Sequence, residues 1–238
     1  MEIKGKYNSV LVIPDLHCPF QHPDAFAFLD TVANKYKPDL HVCLGDEIDG
    51  HSFSFHDKDP DVPFSPSSEL EEAIWHLKDL YLLFPKMLVL ESNHGSLVYR
   101  KGKHHGIPRS VFKSYNEILE APKYWSWHFE LTINTPLGKV YFHHGHSKNS
   151  LKNSHEKSMN YVQGHHHGTM DIQYWANTEG LFWGSTAGCL IDYKRLAFAY
   201  AKNNIKKPLL GCLMIINGVP KLIPMILNKK GRWIKQII

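Results

Sequence analysis

Short apolar runs recur along the chain, and most of them stop at aspartate, asparagine, histidine or glycine. The run SVLVIPD, residues 9–15, is β-branched and closed by proline and aspartate, which predicts a buried strand. PDAFAFLDTVANKY follows with apolar residues at helical spacing, and DLHVCLGD, residues 39–46, predicts a second buried strand ended by glycine. The polar, proline-containing stretch 47–66 reads as a long loop. At Ser68 the sequence SELE has the Ser-x-x-Glu form of a capping box, so a helix is expected from there through EEAIWHLKDLYLLF. KMLVLESNHG, residues 86–95, is a third strand. This β-α-β-α-β order predicts a largely parallel α/β sheet with helices packed on it.

The second half is richer in strands. HFELTINTPLGKVYFHHG alternates and turns at Pro136–Gly138, which predicts a hairpin. SLKNSHEKSM reads as a helix before the short strand YVQG, and MDIQYWAN and LFWGST as further strands. LLGCLMIINGVPKLIPMIL is two apolar runs joined by Asn-Gly-Val-Pro, a hairpin signal. With no internal repeat or linker in view, a single α/β domain over residues 1–238 with two packed sheets is expected, carrying a loop insertion at about 50–66.

Composition narrows the class only a little. With 43% hydrophobic and 21% charged residues the chain is ordinary globular material. Its apolar runs fall short of the ~20 residues that span a bilayer, and the N-terminus lacks signal-peptide architecture, so a cytoplasmic protein without a membrane partner is expected. The cysteines Cys18, Cys43, Cys189 and Cys212 form no CxxC pair and read as reduced, buried hydrophobes. A net charge of +4 is modest, but basic residues cluster at 99–109, 148–157 and 228–235. Such clusters are either solvated loops or an attractive field for a phosphate-bearing substrate. Seventeen histidines are the anomaly, and many sit beside Asp, Asn or Gly rather than inside apolar runs.

Their positions carry the chemistry. The first strand ends in Asp15-Leu-His17, the second in Gly45-Asp46-Glu-Ile-Asp49, and the third in Asn93-His94-Gly95. The hairpin's second strand ends in His143-His144-Gly145-His146, and YVQG runs into His165-His166-His167. Ligands of open α/β sheets bind outside the carboxyl ends of the strands, so these five ends should converge. Mixed imidazole and oxygen donors without thiolate suit Mn, Fe, Zn, Ni or Co.

In order, DxH, GDxxD, NH, HGH and GHxH resemble the signature of the calcineurin-like metallophosphoesterases, over Asp15 to His167. The segment GDEIDGHSFSFHDKDPD is, more loosely, similar to that of phage-encoded members. The resemblance implies an α/β fold of two packed mixed β-sheets flanked by helices. It also implies two divalent metal ions, with manganese the first choice. One would be held by Asp15, His17, His167 and a bridging Asp46, the other by Asp46, Asn93, His144 and His165. The implied activity is phosphate-ester hydrolysis by a hydroxide bridging the two ions. His94 matches the family's general acid, and Asp49 the carboxylate that orients it and favours its protonated form. His166 would point the other way, either as a bystander or as a support behind the ligands.

Three departures stand out: Ser92 replaces the usual glycine before Asn93, and Gly95 the acidic residue that often follows the NH pair. Gly50 stands where protein Ser/Thr phosphatases carry an arginine, which argues against a phosphoprotein substrate. His146, together with His51, His56 and Phe55 of the insertion, are substrate-contact candidates, because aromatics with histidines could stack on a base and meet a phosphate. A 5′-nucleotide phosphomonoesterase is therefore expected. The alternatives are a phosphodiesterase or nuclease acting on cyclic nucleotides, DNA or RNA, and a non-catalytic metal-binding scaffold. Oligomeric state leaves no trace in the sequence.

Overall fold

A computed structural model describes residues 1–55, 63–194 and 207–237. Its strands are β1 (Glu2–Lys6), β2 (Ser9–Ile13), β3 (Leu40–Cys43), β4 (Met87–Leu90), β5 (Trp125–His128) and β6 (Leu131–Thr135). They continue with β7 (Gly138–Phe142), β8 (Asn160–Gln163), β9 (Met170–Asn177), β10 (Gly180–Ala187), β11 (Gly211–Ile216) and β12 (Val219–Pro224). The helices are α1 (Ala25–Tyr36), α2 (Pro66–Leu83), α3 (Leu97–His104), α4 (Tyr115–Ile118) and α5 (Ser150–Lys157).

Among the described residues the strands form two six-stranded sheets. The first has the order β12-β11-β2-β3-β4-β5. Its β2 to β5 run parallel, and the β11–β12 hairpin joins antiparallel. The second has the order β1-β6-β7-β8-β10-β9 and mixes parallel and antiparallel pairs.

Why β2 is apolar at nearly every position follows from its place at the centre of the first sheet. Side chains alternate across a strand. Val10 and Val12 pack with Val42 among the residues between the sheets, which include Val140, Phe142 and Val162. Leu11 and Ile13 turn to the other face, against Phe28 and Leu29 of α1 and Leu77 and Leu80 of α2. A strand buried on both faces loses its polar alternation. The four cysteines are buried and free, as expected.

Three elements differ from the sequence reading. Helix α2 begins at Pro66, with Ser65 rather than Ser68 as its cap; Ser68 is the reciprocal partner in the box. Proline at the first helical position, with its preset φ and no N–H to satisfy, fixes that earlier start. Part of the basic stretch 99–109 is not loop but helix α3, whose Lys101, Lys103 and His104 sit in its last turn, where cations favour the helix dipole. The N-terminal residues also pair, as β1 beside β6, in a segment too polar to read as a strand. His56 and part of the expected insertion lie outside the described residues.

Candidate metal centre

The loops that follow β2, β3, β4, β7 and β8 meet at one edge of the sheets and are bonded to one another. His17 N donates to the Asp46 carbonyl (2.8 Å), and Gly164 N to that of His144 (2.9 Å). His165 N donates to Asp15 Oδ2 (2.7 Å) and His94 N to Asp46 Oδ1 (3.1 Å). Ser92 serves as a rivet, its hydroxyl accepting the Asp46 N–H at 2.9 Å and the Gly95 N–H at 3.0 Å. That gives a physical role to serine where glycine was expected. A Cβ on Gly164 would lie 2.4 Å from Asp15 Oδ1, so only glycine lets these two loops approach. His17, Asp46 and His165 all sit at positive φ (53°, 48° and 64°), a strained backbone of the kind that clusters at functional sites.

The side chains fall into overlapping groups. Asp15, His17, Asp46 and His167 bring donor atoms within 4.8 Å of one another, and so do Asp46, His144 and His165. Asp46 is common to both. Asn93 joins the second group, its Oδ1 lying 2.8 Å from His144 Nε2. A third group, His17, Asp49 and His94, adjoins the first. His166 is in none of them.

Proton accounting shows that these groups suit a cation. His144 Nδ1 lies 2.8 Å from the Leu44 carbonyl, so it carries the proton there. Its Nε2 then turns a lone pair toward Asn93 Oδ1 and toward Asp46 Oδ2, 3.3 Å away, all acceptors. His17 repeats the pattern, with Nδ1 donating to Asp49 Oδ1 (2.5 Å) and Nε2 facing Asp46 Oδ2 (3.3 Å). Asp15 is fully buried and its Oδ1 has no hydrogen-bond partner. Converging acceptors of this kind are satisfied by added protons or by metal ions. Without an ion the protons win: burial lowers the pKa of His144, but the Asp46 carboxylate outweighs it and raises the value to about 9. Glu47, beside Asp46, turns elsewhere and accepts from Trp127 Nε1 (2.9 Å); burial pushes its carboxyl up to about 7.

The Asp49–His94 pair has a particular geometry. The Asp49 carboxylate bonds His17, while its main-chain carbonyl accepts from His94 Nδ1. The carboxylate is 3.6 Å from that nitrogen.

A family model described as calcineurin-like phosphoesterase matches residues 9–198. The chain belongs to the calcineurin-like phosphoesterase family. Solved structures similar to this family member include Vps29 from Chaetomium thermophilum, at 11% identity, covering 97% of this chain and 94% of that one with a TM-score of 0.48. Vacuolar Protein Sorting 29 from Cryptosporidium parvum matches at 13% identity, covering 94% of each chain with a TM-score of 0.45. No curated protein matches the sequence.

The substrate-contact candidates of this family member scatter more widely. His51 opens a 3₁₀ turn and donates its N–H to Glu69 Oε1 (2.7 Å). His146 stacks on His143 with ring centroids 3.5 Å apart. Phe55 lies against Arg100 and Lys101, 5.3 and 5.2 Å from the ring centroid. Two residues that the sequence reading did not single out, Arg100 and Phe129, line a cleft together with Asn93, His144 and His165. Arg100 belongs to the basic stretch 99–109, which the sequence left open between solvated loop and a field for a phosphate-bearing substrate without naming one residue, and Phe129 was hidden in an alternating strand pattern. A larger cavity of about 490 Å³ lies among α2, α3 and α4 and reaches Gly95.

Proposed function

We propose that this family member is a phosphoesterase dependent on two divalent ions, manganese first among them, and that it hydrolyses small phosphate monoesters such as nucleoside 5′-monophosphates. The observation that carries the reading is Asp46, shared between two converging donor groups, with His94 and Asp49 beside them. Asp15, His17, His167 and Asp46 would hold one ion, and Asp46, Asn93, His144 and His165 the other. Bound there, the ions would supply a nucleophile at neutral pH and neutralise charge on the phosphoryl oxygens.

The remaining work falls to the chain. Because His94 Nδ1 faces the Asp49 carbonyl, its Nε2 is the atom left to hand a proton to the leaving alkoxide as the phosphorus–oxygen bond breaks. Asp49 bonds both histidines, and so couples the position of the acid to that of a metal ligand. Turnover with Mn²⁺ on adenosine 5′-monophosphate, p-nitrophenyl phosphate and bis-p-nitrophenyl phosphate tests the reading, with Asp46→Ala as blank. Phosphate release from the monoesters is expected. Preference for the diester would move the assignment to phosphodiester chemistry, and silence on all three with metal bound would refute catalysis. His94→Asn should slow the nucleotide, a poor leaving group, at least roughly 100-fold with metal content retained; equal rates would remove His94 as the acid.

A further inference from the structure

The cleft that opens off the metal centre has a volume of about 340 Å³ and is lined by Asn93, His144, His165, His143, Arg100 and Phe129 among others. Small-molecule sites run from roughly 300 to 1,000 Å³, so this one has room for a single nucleotide-sized ligand. Arg100 is exposed, and its Nη2 donates to the Asn93 carbonyl at 2.6 Å. A guanidinium has five N–H donors, so most remain for a ligand.

Its position follows from a residue on another loop. Gly50 sits at φ +67°, and a Cβ there would meet Leu97 Cδ1 at 2.9 Å and Phe53 Cε2 at 2.8 Å. Lacking that side chain, the loop lets the first turn of α3 pack closely, and Arg100 lies three residues on from Leu97 in the same helix.

Phe129 is 64% exposed. An exposed phenyl ring in isolation needs no explanation. This one, however, lines the same cleft as three candidate ligands, and it meets the edge of His143 at 5.2 Å and 81°. His143 is in turn stacked on His146, which stiffens the support.

We infer that Arg100 and Phe129 form the specificity subsite of this centre, selecting a phosphate monoester whose leaving group carries a planar heterocycle. Arg100 donates to a non-bridging phosphoryl oxygen, and Phe129 takes one face of the ring. The inference rests on the phosphoesterase reading above and adds the residues that choose the ester.

Mn²⁺-loaded full-length protein, assayed on adenosine 5′-monophosphate and glycerol 3-phosphate, tests it. Both esters release a primary alcohol, so the difference between them reports recognition of the ring. The wild type should show the lower KM for the nucleotide, and Phe129→Ala should shift the ratio of the two KM values roughly 10-fold toward parity. Arg100→Ala should lower kcat/KM for both esters roughly 30-fold with metal content retained, and Arg100→Lys should recover part of it. A ratio that Phe129→Ala does not move overturns the ring contact. Loss of metal in Arg100→Ala would show that Arg100 only braces Asn93, and removes it from the subsite. Should the wild type hydrolyse neither ester, the monoesterase reading fails separately, and equilibrium dialysis of adenosine 5′-monophosphate decides the subsite. Binding that Phe129→Ala weakens keeps it, and absence of binding overturns it.

Discussion

Asp46 is the residue on which the two donor groups depend, because it alone belongs to both the Asp15–His17–His167 and the His144–His165 sets. Removing a shared carboxylate should cost both ions, whereas removing a ligand of one set should cost one. Metal analysis after gel filtration is expected to give two Mn²⁺ per chain for the wild type, about one for His165→Ala and close to none for Asp46→Ala. Equal losses in both variants would mean that the groups do not bind independently. These candidate ligands could be picked out in the sequence because a metal centre is built from residue types, and Asp, Asn and His recur at successive strand ends. Arg100 and Phe129 were not legible, since an arginine on a basic helix and a phenylalanine in a strand pattern have ordinary explanations. Only the fold brings them to one cleft.

At the scale of elements, the apolar runs with their polar stops located most strands, but helix starts depended on local bonds. The shift from Ser68 to Ser65 turned on which serine cups the N–H groups above Pro66. The end of the chain shows the same dependence. Arg232 Nε and Trp233 N both donate to Asp24 Oδ2, at 2.8 and 2.9 Å, pinning the C-terminal segment to the start of α1. Trp233 then packs edge-on against Phe28 of that helix, with centroids 5.5 Å apart. The bond from Arg232, aided by the Trp233 N–H, lowers the Asp24 pKa to about 2. A depressed carboxyl contributes stability that is present above its unfolded value, about 3.8, and is lost as pH falls through the folded one. Because Arg232 is exposed, solvent screening keeps that contribution small. Denaturant unfolding should find Asp24→Asn less stable than the wild type at pH 6, with about half of the gap gone by pH 3. A gap that stays constant across this range would place its origin in packing rather than in the ion pair.

For the whole molecule, the decisive relation is between the sheets and the centre. Asp15, His17, Asp46 and Asn93 follow strands of the first sheet, and His144, His165 and His167 follow strands of the second. Each proposed ion therefore draws ligands from both, bridging layers that are otherwise joined by the apolar contact between Val10, Val12, Val42, Val140 and Phe142. Those side chains are fully buried, so the metal-free chain should remain folded. Ions that bind only the native state add stability by mass action, about 2.7 kcal/mol for one site at a free concentration of 100 times Kd. For a chain of this size that amounts to a rise in Tm of roughly 5–10 °C. Thermal unfolding with Mn²⁺ and again with excess chelator should show this difference in the wild type and lose it in Asp46→Ala. If chelation leaves the wild-type Tm where it was, the two sheets are not bridged by metal, and the convergence of the strand ends would need another cause.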